Sequence, residues 1–175
     1  SDILMNGWRI DTNTAYPAML SLKDASIGFI RKGEDLSRIY DIGDYVVVQV
    51  TNVTSQNLVD VSMRGPGLRK LIGGRVITIN SNKVPRIIGS KGSMVSMIKE
   101  YTGCRIIVGQ NGWVWILGNP ESEILAVKTI EKIENEAHMQ GLTDRIKDFL
   151  EKETGGVKKG ARMKENLEQS DQYVR

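Results

Sequence analysis

Cysteine and histidine are almost missing from this chain. Its 175 residues include one cysteine, Cys104, and one histidine, His138. A lone cysteine closes no intrachain disulfide, which fits a reducing compartment, so a cytoplasmic location is expected. One Cys and one His do not make a zinc site of the usual kind, and no metal or other cofactor is expected. A Ser-His-acid or Cys-His pair would have to recruit His138, which stands in a charged, helical stretch. No apolar run approaches the ~20 residues that cross a bilayer, and no signal peptide is visible. Excess charge of either sign is also small: 24 Lys and Arg against 21 Asp and Glu, a net of +3. That balance permits a nucleic-acid partner without demanding one. A chain 40% hydrophobic and 26% charged is not disordered throughout, and its length suits one medium domain or two small ones.

What is present changes character along the chain. Residues 1 to about 63 read as short strands and turns. Trp8-Arg9-Ile10-Asp11 and Tyr16-Pro17-Ala18-Met19-Leu20 flank an Asn/Thr-rich turn. Tyr45 to Val50 is the most β-rich run, and Leu58 to Met63 alternates with period two, so the pair predicts a hairpin. Ahead of that pair, Ser21 to Tyr40 is a long basic connection. Several short strands with little helix argue for a small barrel. Arg64-Gly65-Pro66-Gly67 marks a junction. Beyond it, strands are expected at Arg75 to Ile79, Arg105 to Val108 and Trp113 to Leu117. A helix is expected at Ser93 to Tyr101, with Met94, Val95, Ile98 and Tyr101 on one face. Asn119-Pro120-Glu121 reads as a capped helix start, and Thr143 repeats that logic before a stop at Gly155-Gly156. The expected domains are 1–66, 67–155 and a polar tail over 156–175.

The strongest motif is Ile87-Ile88-Gly89-Ser90-Lys91-Gly92 leading into a helix. Two glycines separated by two residues are common, but the setting is specific: strand, short helix, G-x-x-G, helix, strand, strand, helix. That order resembles a KH domain of the eukaryotic kind. Glycines without Cβ let a sugar-phosphate backbone approach, and free amides at a helix N-terminus favour an anion. Lys91, Arg86 and Arg105 add cations, while Ile87, Ile88, Met94 and Ile106 offer an apolar groove for unstacked bases. Between residues 75 and 105 there are six basic side chains and one acid, Glu100, so positive charge concentrates around the loop. The competing reading is a tight turn between helices with incidental surface lysines.

The N-terminal segment resembles an S1-type OB-fold, through Asn6-Gly7-Trp8, Gly43-Asp44 ahead of an apolar strand, and Val61-Ser62-Met63-Arg64. The resemblance implies single-strand binding by stacking plus a basic groove. Trp8 then takes the aromatic position, Tyr16 lies nearby, and Arg9, Lys23, Arg31, Lys32 and Arg38 supply the rim. Trp8 is equally readable as a core aromatic, and the basic residues as a solvated surface. Residues 1–70 hold eight basic and eight acidic side chains, so this half is the weaker electrostatic candidate.

S1 followed by KH, the Ser62-Met63-Arg64-Gly65-Pro66-Gly67 joint, the Val108 to Trp115 hairpin and Ile133-Glu134-Asn135-Glu136-Ala137-His138 together resemble the RNA-binding cap subunits of the exosome. The intact Gly89-Ser90-Lys91-Gly92 loop favours an archaeal version. The resemblance implies an α+β chain with a β-barrel: an S1-type OB barrel, then a eukaryotic-type KH domain with an extra C-terminal helix. It implies a non-catalytic protein. Three copies sit on a hexameric ring that degrades RNA from its 3′ end with phosphate, and pass single-stranded, possibly adenine-rich, RNA inward. Gly109, Asn111 and Gly112 match the family's G-x-N-G signature, read here as a structural type I′ turn. Trp113 and Trp115 share one strand face and read as packing or interface residues. The family carries a further small β-rich domain ahead of this region, so the chain is expected to begin inside the S1 barrel, with Ile3-Leu4-Met5 as part of its first strand. Two alternatives stay open: the RNA-binding tail of a polynucleotide phosphorylase, whose KH and S1 modules come in the opposite order, and an adaptor whose KH fold makes only protein contacts.

Overall fold

A computed structural model describes residues 2–25 and 35–160. Arg31 and Lys32, and the polar tail beyond residue 160, lie outside the described residues. The chain divides into two compact units, Ser1–Ile72 and Gly73–Arg175. The division falls beyond the Gly65-Pro66-Gly67 junction read from the sequence. The chain after those glycines returns to pair within the first unit, and turn residues mark a bend rather than a boundary.

The first unit contains β1 (Asp2–Leu4), β2 (Gly7–Ile10), β3 (Ala18–Ser21), β4 (Tyr45–Val46), β5 (Gln49–Val53), β6 (Val59–Ser62) and β7 (Lys70–Leu71). Its main sheet runs β1-β2-β3-β6-β5, and β4 pairs separately with β7. All pairings in the main sheet are antiparallel except β3 with β6, which is parallel with Ala18 opposite Val59. The sheet does not close into a barrel: β1 is three residues long and pairs only with β2, and all five residues of β5 are exposed. The expected hairpin of β5 and β6 is present, with a register shift between Val50 and Asn52. The continuous strand expected over Tyr45 to Val50 is split. Val47 donates its amide to Arg69 O at 2.8 Å, which extends the β4–β7 pairing before the chain turns into β5. Uniform β-propensity carries no sign of such a change of partner. The core of this unit is Trp8, Ala18, Leu20, Ala25, Val61 and Met63.

The second unit contains β8 (Arg75–Thr78), α1 (Val84–Ile88), α2 (Ser93–Thr102), β9 (Arg105–Val108), β10 (Trp113–Leu117), α3 (Pro120–Glu136) and α4 (Leu142–Thr154). Its sheet is antiparallel in the order β8-β10-β9. Ile87 of α1, Met94 and Ile98 of α2, Ile130 and Ile133 of α3, and Ile146 and Leu150 of α4 bury against Ile106, Val114 and Ile116 of the sheet. The i, i+3 and i, i+4 spacing of the residues on α2, α3 and α4 makes one apolar stripe per helix.

Two helix starts differ from the sequence reading. Asn119 precedes α3 but its side chain makes no capping bond. Instead Glu123 reaches back, accepting from Gly118 N at 3.0 Å. Helix α4 begins at Leu142 after left-handed Gly141, one residue before Thr143, so Thr143 is inside the helix rather than its cap. The stop at Gly155 is as expected, with left-handed φ +61 and its amide donating to Glu151 O.

Candidate nucleic-acid interface

The glycine loop begins where α1 can no longer continue. Gly89 has φ +75 and ψ 175, a region open almost only to glycine. Its amide donates to Pro85 O at 3.0 Å, closing α1. A Cβ placed here would lie 2.7 Å from both the amide nitrogen and the Cβ of Met94, so packing forbids a side chain at Gly89. Lys91 follows with left-handed φ +51, which is uncommon for a residue with a Cβ, and Gly92 with φ +80. The amide of Gly92 donates to Gly89 O at 3.2 Å. Unlike Gly89, Gly92 has open space where a Cβ would stand. The two glycines therefore serve different needs: the first lets α1 and α2 meet, and the second leaves the loop bare in front of α2. The first-turn amides of that ten-residue helix point back at this bare surface.

Several cations of this stretch lack acidic partners, from Lys91 in the loop to Arg105 past the far end of α2. Arg86, Ser90, Lys91, Lys99 and Arg105 are exposed. Among the described residues, Lys83, Arg86, Lys91, Lys99 and Arg105 make no ion pair within 4 Å, whereas Arg75 lies 3.6 Å from Glu123. Glu100, the one acid of residues 75–105, is itself paired, 3.0 Å from Lys158 Nζ. In the sequence Lys158 is one of the basic residues of the polar tail, and nothing there brings residue 158 to residue 100.

The apolar groove needs correction. Ile87 is fully buried, Met94 is 4% exposed and Ile106 is 3% exposed, so all three are core residues and offer no ring-stacking surface. They are claimed by α3 and α4, which fill the space behind them. The accessible apolar side chains flanking the loop are the half-buried Ile88 and Val95. The spacing puts Val95 on the apolar face of α2, and its intermediate exposure puts it at the edge of that stripe.

The first unit supplies less. Trp8 is a correction: it is 4% exposed, its Nε1 donates to Tyr40 O at 2.9 Å, and its ring meets Tyr40 edge-on at 5.3 Å. It is the centre of a core, not a stacking platform, because Tyr40 returns over it with its hydroxyl anchored on Ala25 O at 2.9 Å. Arg9 is exposed but lies 3.4 Å from Asp2, and Arg38 is 3.6 Å from Asp35. Tyr16 and Lys23 are exposed.

The Gly109-Gln110-Asn111-Gly112 bend is a turn, though not the mirror-image type expected. Neither Gln110 nor Asn111 has positive φ, whereas Gly112 has φ +85. Gly112 N donates to Gly109 O at 3.1 Å, Trp113 N donates to Asn111 Oδ1 at 3.2 Å, and Gly109 N donates to Trp113 O at 2.8 Å. A three-residue loop with a left-handed glycine at its end satisfies the strand twist equally well. Trp115 is 5% exposed and donates Nε1 to Gly73 O at 2.8 Å, and Trp113 is half-buried.

The remaining chemically notable group is Cys104. It is buried, and burial foremost pushes its thiol up, which keeps it protonated at neutral pH.

The model of the KH domain family matches residues 74–122, a span that contains the glycine loop, α2 and the β9–β10 hairpin. An exosome complex component Rrp4 from Thermococcus kodakarensis is 44% identical over 155 residues, covering 85% of this chain and 60% of its own length. The Rrp4 component from Thermoplasma acidophilum is 42% identical over 154 residues, covering 88% of this chain and 64% of its own. The chain thus spans about three fifths of the length of these curated relatives. A crystal structure described as a candidate exosome complex RNA-binding protein superposes with a TM-score of 0.77. It is 33% identical and covers 87% of this chain and 89% of its own.

Proposed function

We propose a function from one premise: this chain belongs to the Rrp4 family of RNA-binding exosome components. It is a non-catalytic cap subunit that captures single-stranded RNA, possibly adenine-rich, and hands it to a phosphorolytic 3′-to-5′ exoribonuclease ring. Three copies seat on a hexameric ring, in the cytoplasm. The RNA-binding part of this reading is carried by the loop. Gly89, Ser90, Lys91 and Gly92 form a side-chain-poor bend at the start of α2, with Lys91 in it and Arg86 just ahead of it, neither paired with a described acid. Phosphate attracted there meets Lys91, Arg86 and the first-turn amides of α2, and Arg105 extends the cationic surface past the other end of that helix. Ile88 and Val95 lie where a base edge can rest. Among the described residues, Cys104 is buried and His138 is exposed on the short connection after α3.

The unit before it is read as the S1-type OB module. What supports this is a sheet of five strands in the order β1-β2-β3-β6-β5 with a single parallel pair, the strand count of the partly open Greek-key barrel of an OB-fold. The second unit is read as a KH domain of the eukaryotic kind, supported by the helix pair around the loop and by the last strand, β10, lying between β8 and β9. RNA contact by Tyr16, Lys23, Arg9 and Arg38 is secondary to the loop, since two of the four are held by acids.

The test is co-purification with the ring subunits, followed by mass measurement of the complex and RNA degradation assays. A threefold stoichiometry and phosphate-dependent decay that requires the ring are expected. Release of nucleoside diphosphates by the isolated chain overturns the reading.

A further inference from the structure

A short segment after α4 folds back across the C-terminal end of α2. Lys158 Nζ lies 3.0 Å from Glu100 Oε2 and 5.3 Å from the centroid of the Tyr101 ring. Tyr101 in turn donates its hydroxyl to Glu151 of α4 at 2.9 Å. Two glycines let the segment settle. A Cβ on Gly160 would stand 2.8 Å from Lys99 O and 3.0 Å from both Cα and O of Glu100. Gly103, left-handed at φ +70, leaves its own Cβ position 3.4 Å from the Cβ of Lys159. Gly160 is what allows this approach: any side chain there would run into the backbone of Lys99 and Glu100.

The seat has an electrostatic consequence at the C-terminal end of α2, roughly 15 Å from the loop along the ten-residue helix. Without Lys158, Glu100 would present a carboxylate beside Lys99 and Lys159, where a strand leaving the loop along α2 would pass. With it, that carboxylate is cancelled. Lys159 is exposed, makes no ion pair among the described residues, and sits beside Gly103, two residues before Arg105. Cations at a helix C-terminus are favoured by its dipole, which accounts for the segment's position. It leaves Lys159 with an unneutralised charge directed at solvent.

We propose that Val157–Gly160 is part of the RNA-binding surface: Lys159 is a phosphate contact that continues the cationic path from the glycine loop along α2, and Lys158 is a positioning residue that removes the repulsion of Glu100. The proposal rests on the RNA-binding reading of the loop and adds a segment to it that lies outside the matched KH span.

The experiment uses the full chain and a fluorescein-labelled single-stranded oligoadenylate, with anisotropy titrations across a range of KCl. Lys159→Ala is expected to weaken binding about threefold and to lower the slope of log affinity against log salt by about 0.7, the value of one single-strand phosphate contact. Lys158→Ala is expected to weaken binding to a similar degree. Adding Glu100→Gln to it restores wild-type affinity, and Lys158→Arg retains it. A purely structural role for Lys158 predicts no rescue by Glu100→Gln. Wild-type affinity and slope in Lys159→Ala, or failure of that rescue, overturns the proposal. Gly92→Asp in the same assay separates the two layers. Loss of binding there with Lys159→Ala unaffected removes the segment and keeps the loop, whereas unaffected binding in Gly92→Asp removes the loop itself.

Discussion

The two glycines of the loop make opposite demands, and substituting each in turn separates folding from binding. Gly92 is left-handed, at φ +80 and ψ 12, with nothing within 4 Å of a Cβ. Aspartate tolerates that conformation better than most residues, at about 1 kcal/mol. A carboxylate ahead of the first turn of α2 returns about 0.3–1 kcal/mol through the helix dipole. Gly92→Asp should therefore melt within about 5 °C of the wild type. Its carboxylate occupies the position offered to phosphate and repels it. Losing one charged hydrogen-bonding site is worth about 1.5–3 kcal/mol, so affinity for single-stranded RNA should fall by about 10- to 100-fold. Gly89→Ala does the reverse. It forces a Cβ to 2.7 Å from Met94 in a region nearly closed to side chains. The combined strain and overpacking cost about 2–5 kcal/mol, seen as a large drop in melting temperature before any question of RNA. Thermal melts read by circular dichroism, alongside anisotropy titrations, measure both. A folded Gly92→Asp that binds RNA as tightly as the wild type refutes the assignment of phosphate to this loop.

Three further outcomes follow from the geometry. Hydrogen bonds from Lys132 and then Arg145 hold the Glu136 carboxyl below the ordinary glutamate range. Its contribution to stability is therefore complete above the unfolded value and is lost as pH falls through the folded one. Melting temperature should drop on acidification, and Glu136→Gln should flatten that limb; an unchanged pH profile in the variant rules the pair out as the cause. Trp8→Ala should cost about 3–5 kcal/mol and abolish cooperative melting of the first unit, while Trp8→Phe, which loses the bond to Tyr40 O and part of the buried ring, should cost less, about 1–3 kcal/mol. Iodoacetamide at neutral pH should leave Cys104 unmodified in the folded protein and alkylate it in denaturant, as read by mass spectrometry. Rapid alkylation of the folded chain contradicts its burial.

The second unit was legible because its signals are local. The apolar spacing of Met94, Ile98 and Tyr101 writes out α2, and Gly103 ends it with a left-handed cap. The glycine loop, its cations and the strand order around it are adjacent in sequence. What escaped depended on distant chain returning. Ile87 and Met94 read as a groove because nothing nearby says that α3 and α4 will cover them. Trp8 read as a stacking aromatic because its cover, Tyr40, comes thirty-two residues later. The screening of Glu100 depends on Lys158, fifty-eight residues away. Local periodicity reports which face is apolar, and only the tertiary fold reports what lies against it.

The dry setting of Trp8 has a practical corollary. It is the one indole of the first unit, whereas Trp113 and Trp115 both belong to the second. Replacing those two with phenylalanine leaves an emission spectrum that speaks for the first unit alone, blue-shifted while the core is shut and red-shifted once water enters. The first unit can thus be followed by its own light, without labels.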